Sequence, residues 1–222
     1  VTADTVTFVH DQRFPPFVDV QDGRSSGLAV RVLEAAAARA GIVPAYLPLP
    51  FDQVKTALAE ARADALFPLA INPERRAEYD FSTPLLVTGG GLFVRAPAPP
   101  VSDPAVFDGR TIVTPGTGPL AGFIERGFPH VRLRVTADYD ESLALLMAGE
   151  ADAAALNVHA GAQIADRLYP GAVVAPPRLF LELPLAVAVP KGQRADLIVR
   201  LDAALAAVRA DGTWDRLQTA TE

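Results

Sequence analysis

The stretch NPERRAEYDFSTP, residues 72–84, sets two cations where chemistry is possible. Asn72 suits a helix N-cap and Pro73 the first helical position, so Glu74 and Arg75 become the second and third residues of a helix. The helix dipole favours carboxylates at that end and cations at the other, which makes Arg75 and Arg76 misplaced as structural charges. A guanidinium beside free backbone N–H groups would instead hold a carboxylate, because its planar fork donates two parallel hydrogen bonds. On spacing alone a second reading stays open, in which both arginines are solvated and pair weakly with Glu74, Glu78 or Asp80.

Other chemistries are excluded or weak. The sequence has no HExxH, no G-x-S-x-G elbow and no P-loop lysine, and His10, His130 and His159 lack zinc-like spacing. No metal and no cofactor is expected. PGTGP (115–119) contains a G-x-G but lacks the third glycine of a dinucleotide fingerprint, and reads as a turn before a helix. TGGG (88–91) has no helical continuation and reads as a flexible start of a strand.

These residues need a scaffold, and 222 residues, half of them hydrophobic, suffice for one large domain or two lobes. The net charge of −6, with 21% charged residues, carries no basic footprint, so no nucleic-acid partner is expected. No apolar run is long enough to span a bilayer and VTADTVTFVH is not a signal peptide, so the chain reads as either cytoplasmic or already processed. With no cysteine, disulfides and thiolate chemistry are excluded.

Along the chain, TVTFV (5–9), PAYLPL (44–49) and ADALFPLA (63–70) read as strands. Between them stand helical patterns at 28–40, closed by Gly41, and at 51–61, an alternation that predicts an α/β fold with a parallel sheet. RAPAPPVSDPAVFDG (95–109), with four prolines, reads as a lobe boundary. Beyond it the alternation resumes, giving a second α/β lobe. ALAEARADALF (57–67) and LLMAGEADAAAL (145–156) echo each other as helix end, tight turn, Ala-Asp-Ala and apolar strand, which predicts one structural unit used twice. A last helix should bury Leu197, Ile198, Leu201, Leu205 and Val208 on one face.

The segments DQRFPPF, PFDQVKTALAEARADALFPLAINPERRAEYDFSTPLL, PGTGP, AGEADAAALN and VRADGTWDRL, in that order, resemble the family 3 extracellular solute-binding proteins, the periplasmic components of polar amino-acid ABC transporters. The resemblance runs over nearly the whole chain, and its most specific parts are the helix start with Arg75 followed by DFS, and the closing ADGT. It implies a two-lobe periplasmic-binding-protein (Venus-flytrap, type II) fold with two hinge crossings, near 93–96 and 184–188. Lobe 1 would be residues 1–93 plus 187–222 and lobe 2 residues 94–186, closing on a ligand in the cleft.

By that resemblance Arg75 clamps the ligand's carboxylate while Arg76 faces solvent. Asp11 and Phe14 belong to a first binding loop, Phe51 covers the ligand side chain, and Thr117 and Gly118 meet the carboxylate from the second lobe. Three positions depart from the family pattern. Asn157 stands where amino-acid binders carry an aspartate for the α-ammonium, Ala70 where a hydroxyl is usual, and Pro68 where a small residue is usual. All three keep the carboxylate clamp and reduce contacts to an amine, so the expected ligand carries a carboxylate and need not carry an α-amine. In the other reading Asn157 still serves an ammonium through its carbonyl.

The implied partners are a small carboxylate or amino-acid ligand and the membrane permease of an ABC transporter, with the protein periplasmic, its signal peptide removed, and acting as a monomer. Two alternatives share the fold: the sensory ectodomain of a receptor kinase, and an enzyme resembling cyclohexadienyl dehydratases, for which Asp11 and Glu182 are the available acids. His159 is read as a solvated or capping residue.

Overall fold

A computed structural model describes residues 3–219. It divides into two compact units, one formed by Val1–Val87 with Pro184–Glu222 and the other by Thr88–Leu183. The chain passes between them at 87/88 and 183/184, both inside strands; the resemblance implies crossings near 93–96 and 184–188.

The first unit opens with β1 (Asp4–Asp11), then a small ribbon of β2 (Arg13–Phe14), β3 (Val18–Gln21) and β4 (Arg24–Ser26). There follow α1 (Leu28–Ala40), β5 (Ile42–Leu49), α2 (Phe51–Ala59), β6 (Ala65–Ala70), α3 (Pro73–Glu78) and β7 (Tyr79–Phe81). Strand β8 (Leu86–Arg95) leads out of this unit. The second unit holds a 3-10 helix (Pro104–Phe107), β9 (Thr111–Pro115), α4 (Leu120–Gly127), β10 (Arg132–Thr136), α5 (Tyr139–Met147), β11 (Ala153–Asn157), α6 (Val158–Leu168) and β12 (Val173–Val174). Strand β13 (Leu181–Pro190) returns to the first unit, which ends with α7 (Ala195–Ala210) and α8 (Thr213–Thr219).

In the first unit β1 is central and parallel to both β5 and β6, with β13 antiparallel to β6 and to β7. A parallel sheet must be covered on both faces. Phe8 and Phe67 pack with α1 and α7 on one face, and Val9 and Leu66 with Val54 and Leu58 of α2 on the other. Helix α1 buries Val30, Leu33 and Ala37 at helical spacing and ends where Gly41 takes the left-handed conformation (φ 68°), its N–H reaching the Ala37 carbonyl. The face predicted for α7 is buried at Leu197, Leu201, Leu205 and Val208, while Ile198 is only half-buried.

In the second unit β9 is central and parallel to β10 and β11, and β11 runs antiparallel to β8. The proline-rich 95–109 segment lies inside this unit and marks no boundary. Its prolines serve a turn and a helix start: Asp103 accepts from the Ala105 N–H, Pro104 takes the first helical position, and Phe107 is buried. The glycines of TGGG are not a flexible start either. A Cβ at Gly89 would lie 1.9 Å from the Leu181 carbonyl oxygen, and one at Gly90 2.8 Å from the Phe180 ring, so these positions have no space for a side chain. Among the described residues, no helix is long and apolar enough to cross a membrane.

Candidate ligand site

Both units share a topological feature that makes sites. From β1 the chain crosses by α1 to β5 on one side, then by α2 to β6 on the other, so β1 is the point where the strand order reverses. In the second unit β9 stands in the same relation to β10 and β11. Loops leaving the carboxyl ends of strands diverge at such a point and leave a crevice where ligands bind in open α/β sheets. Asp11 ends β1, Phe51 follows the end of β5, Pro68 and Ala70 close β6, and Arg75 comes shortly after. At the equivalent ends of the second unit stand Thr117 and Gly118, past β9, and Asn157, at the end of β11.

Arg75 is held from two directions. The Asn72 side chain caps α3 by accepting the Arg75 backbone N–H at 2.7 Å, with Pro73 at the first helical position. Its guanidinium Nη1 donates to the Ala70 carbonyl at 2.8 Å, which points the side chain along the carboxyl end of β6. One of five donors is thereby used. Among the described residues no carboxylate pairs with this half-buried cation; Glu78 pairs with Lys55 and Asp80 with Lys191. Helix α3 has only 6 residues, so its dipole adds little and the guanidinium carries the anion chemistry. Arg76, in contrast, is exposed, its guanidinium 5.9 Å from the Phe81 ring centre.

Around this edge the aromatics are out of the core. Phe51, in the first turn of α2, is 65% exposed, and Phe14 is 37% exposed, with the Phe17 ring at 5.0 Å. Exposed phenylalanines lose the burial that phenylalanine side chains ordinarily gain, and each leaves an apolar face for something else to cover. Asp11 directs Oδ1 to the Arg13 N–H at 3.0 Å, a turn contact that leaves its other oxygen uncommitted to that turn, and Arg13 itself is exposed. Pro68 and Ala70 are half-buried.

In the second unit, Thr117 and Gly118 lie in an exposed loop where Gly118 takes φ 88°, a conformation that favours glycine. Asn157 caps α6: its Oδ1 accepts from the N–H groups of His159 and Ala160, each at 3.0 Å. Its Nδ2 donates to Thr88 Oγ1 at 3.1 Å, and Thr88 Oγ1 lies 2.7 Å from His159 Nδ1. The cap thus commits the amide oxygen to two N–H groups, with Thr88 Oγ1 also 3.3 Å from it, and the other end of the amide is a donor. Burial holds the His159 pKa below its ordinary value, so the ring is neutral at pH 7. Sequence reasoning missed Thr88, whose only signal was its place beside the glycine run, and set His159 aside.

The model of the bacterial extracellular solute-binding proteins, family 3, matches residues 6–220. No curated protein sequence matches the chain significantly. Among solved structures, the second substrate-binding domain of a putative amino acid ABC transporter from Streptococcus pneumoniae is 20% identical, with 96% of this chain and 97% of that one covered and a TM-score of 0.81. A histidine kinase sensor domain similar to periplasmic binding proteins is 24% identical over 98% of this chain and 95% of its own, with a TM-score of 0.73. An ancestral amino acid-binding protein that is a precursor of cyclohexadienyl dehydratase is 23% identical, covers 96% of this chain and 92% of its own, and has a TM-score of 0.69. At these identities the likeness is one of fold: the α/β, two-lobe Venus-flytrap architecture.

Proposed function

Because the chain belongs to the family 3 bacterial extracellular solute-binding proteins, as its match over residues 6–220 establishes, we propose that it captures a small carboxylate ligand outside the cytoplasm for an ABC importer. The observation that carries this reading is Arg75, a half-buried guanidinium aimed by the Ala70 carbonyl and the Asn72 cap and paired with no acid among the described residues. A charge so placed is offered to an anion from outside the chain. Phe14 and Phe51 would cover the ligand's apolar part, Asp11, Pro68 and Ala70 would line the first unit's share, and Thr117, Gly118 and Asn157 would contribute from the second. The protein would act as a single chain, delivering its ligand to a membrane permease.

Asn157 bears on which carboxylate is bound. With its oxygen already met by two N–H groups and by the Thr88 hydroxyl, it is a poor acceptor for an α-ammonium, and its Nδ2 would meet that ammonium donor to donor. A keto or hydroxy acid has an acceptor at the same place. The test is a thermal-shift screen followed by calorimetric titration with matched pairs: L-glutamate and 2-oxoglutarate, L-phenylalanine and phenylpyruvate, L-alanine and lactate. Ligand at 100 times its dissociation constant stabilises the protein by about 2.7 kcal/mol, which a melting curve resolves. Binding of the amine-free members is expected; binding of the amino acids alone would refute this ligand class.

The likeness to a histidine kinase sensor domain supports a second reading, in which ligand capture signals instead of feeding an importer. Neither reading involves turnover, so incubation with prephenate or arogenate should leave both unchanged.

A further inference from the structure

His10 is fully buried at the next-to-last position of β1, on the sheet face that carries Phe8. Its ring lies edge-on to Phe67 at 5.6 Å and Tyr46 at 6.0 Å, while its two nitrogens are both engaged. Nδ1 is 2.7 Å from the Asp11 carbonyl oxygen and Nε2 is 2.7 Å from Ser25 Oγ. A carbonyl only accepts, so Nδ1 carries the proton; Nε2 of the neutral ring then accepts from the Ser25 hydroxyl.

The two partners are not equivalent in the chain. Asp11 is where β1 ends. Ser25 lies on β4, paired with Val20 of β3, and β3 in turn pairs Val18 with Phe14 of β2. One imidazole therefore spans the start of the 11–26 excursion and its far strand. Without it, the three-stranded ribbon would rest on β1 with a half-buried hydroxyl and a half-buried carbonyl left to find other partners.

We propose that His10 is the positioning residue of this loop: as a neutral, Nδ1-protonated ring it pins the β2–β4 ribbon to β1, so that Asp11 and Phe14 are docked while it is neutral and loosened when it is charged. The pin stands on its own geometry; its consequence for binding rests on the reading of Asp11 and Phe14 as ligand contacts. Protonation keeps the Nδ1–H bond but makes Nε2 a donor, so Ser25 must turn its own hydrogen away, and it places a charge among Phe8, Phe67 and Tyr46. Desolvation holds the pKa below 6.5, partly offset by the Asp11 carbonyl and the negative charge of Asp11.

The charged and titratable groups of the surrounding elements are Asp4 and Asp11 of β1, Arg13 of β2, Asp19 of β3, Arg24 of β4, Tyr46 of β5, and Arg31, Glu34 and Arg39 of α1; β6 brings none. The Tyr46 hydroxyl donates to Glu34 at 3.2 Å, and burial pushes its phenol far above the usual range, so it stays protonated at every pH of interest. The sign follows from the direction of the His10 shift. A histidine with a depressed folded pKa stabilises the docked state fully above pH 6.5, and that contribution is lost as pH falls towards the folded value. The loss of protection is about tenfold for each pH unit between the two.

The test uses the ligand-free chain. Long-range proton–nitrogen spectra of the imidazoles should show His10 protonated at Nδ1 and bare at Nε2 at pH 7.5. Hydrogen exchange at residues 13–26, corrected for intrinsic rates, should lose protection below pH 6.5 while α7 does not. Ser25→Ala removes one contact without touching the ring and should give the weakened ribbon already at pH 7.5. His10→Gln, which can still accept from Ser25 but cannot charge, should keep the ribbon protected and remove its pH dependence. An Nε2-protonated His10, or a ribbon equally protected in wild type and Ser25→Ala, would overturn the proposal. Titration of the same chains with 2-oxoglutarate and L-glutamate is a separate arm: binding by neither would count against the function proposed above and leave the pin to be judged by the spectra and exchange.

Discussion

The two units repeat one construction closely enough that their differences can be read. In the first, α2 gives way to a turn in which the Arg62 N–H reaches the Ala57 carbonyl; in the second, the Glu150 N–H reaches Leu145 after α5. Each turn leads to an Ala-Asp-Ala whose aspartate exchanges two hydrogen bonds with a threonine of the central strand. Asp64 Oδ2 accepts from Thr7 N–H and its own N–H donates to the Thr7 carbonyl, both at 2.8 Å; Asp152 does the same with Thr111, both at 2.9 Å. Each third strand then leads to an asparagine that caps the next helix: Asn72, two residues past β6, or Asn157, the last residue of β11. After the caps the units part. One continues to Arg75, a cation with donors to spare, and the other to a neutral network of Asn157, Thr88 and His159. The scaffold is shared, and the units differ in the side chains that stand a few residues past the third strand.

The sharpest way to break that comparison is Arg75→Ala. It should weaken carboxylate binding at least a hundredfold, since a bidentate charge-assisted pair contributes about 3 kcal/mol or more, whereas Arg76→Ala should leave the calorimetric affinity unchanged. Equal losses in the two variants would mean that the fork is not specific to Arg75. Next in size are Asp64→Ala and Asp152→Ala. Each strands a backbone N–H at a cost of about 1–3 kcal/mol, and hydrogen exchange should rise at Thr7 in one and at Thr111 in the other. The Asp64 variant should lose more, because Asp64 also pairs with Arg194 at 3.2 Å.

Asn157→Asp keeps the cap and adds an acceptor, so it should shift preference towards L-glutamate over 2-oxoglutarate by about tenfold, equal to roughly 1.4 kcal/mol, in paired titrations. An unchanged ratio would remove Asn157 from the specificity argument. The smallest effect concerns the turns themselves. Ala61 and Gly149 occupy the same left-handed position, at φ 58° and 77°, and only glycine holds it without strain. Ala61→Gly should therefore stabilise the first unit and Gly149→Ala destabilise the second, each by about 1 kcal/mol, measured as opposite shifts of local exchange.

Much of this was legible beforehand. Helix α1 was visible because its apolar spacing and Gly41 agree, and Asn72-Pro73 marked the start of α3, where the structure has it. The ribbon β2–β4 was not legible as strands, since its strands are only two to four residues long; the signal was Asp22-Gly23, both with positive φ, joining Gln21 to Arg24 as a two-residue hairpin does. The proline-rich segment misled because proline marks a helix start as readily as a boundary, and the glycine run misled because a missing side chain can mean crowding as well as freedom.

What the sequence by itself determined was local: periodicity, caps and turns act over a few residues, and so the alternation of strands and helices, its repetition and the oddity of Arg75 could be read directly. The tertiary structure decided what depends on residues far apart. Arg75 is held apart from Arg76 by its bond to the Ala70 carbonyl, Asn157 is committed to its helix and Thr88, and His10 is buried between Asp11 and Ser25. Hydrogen-bond partners are exhausted by geometry, and no count of residue types reveals which acceptors remain free once the chain has folded.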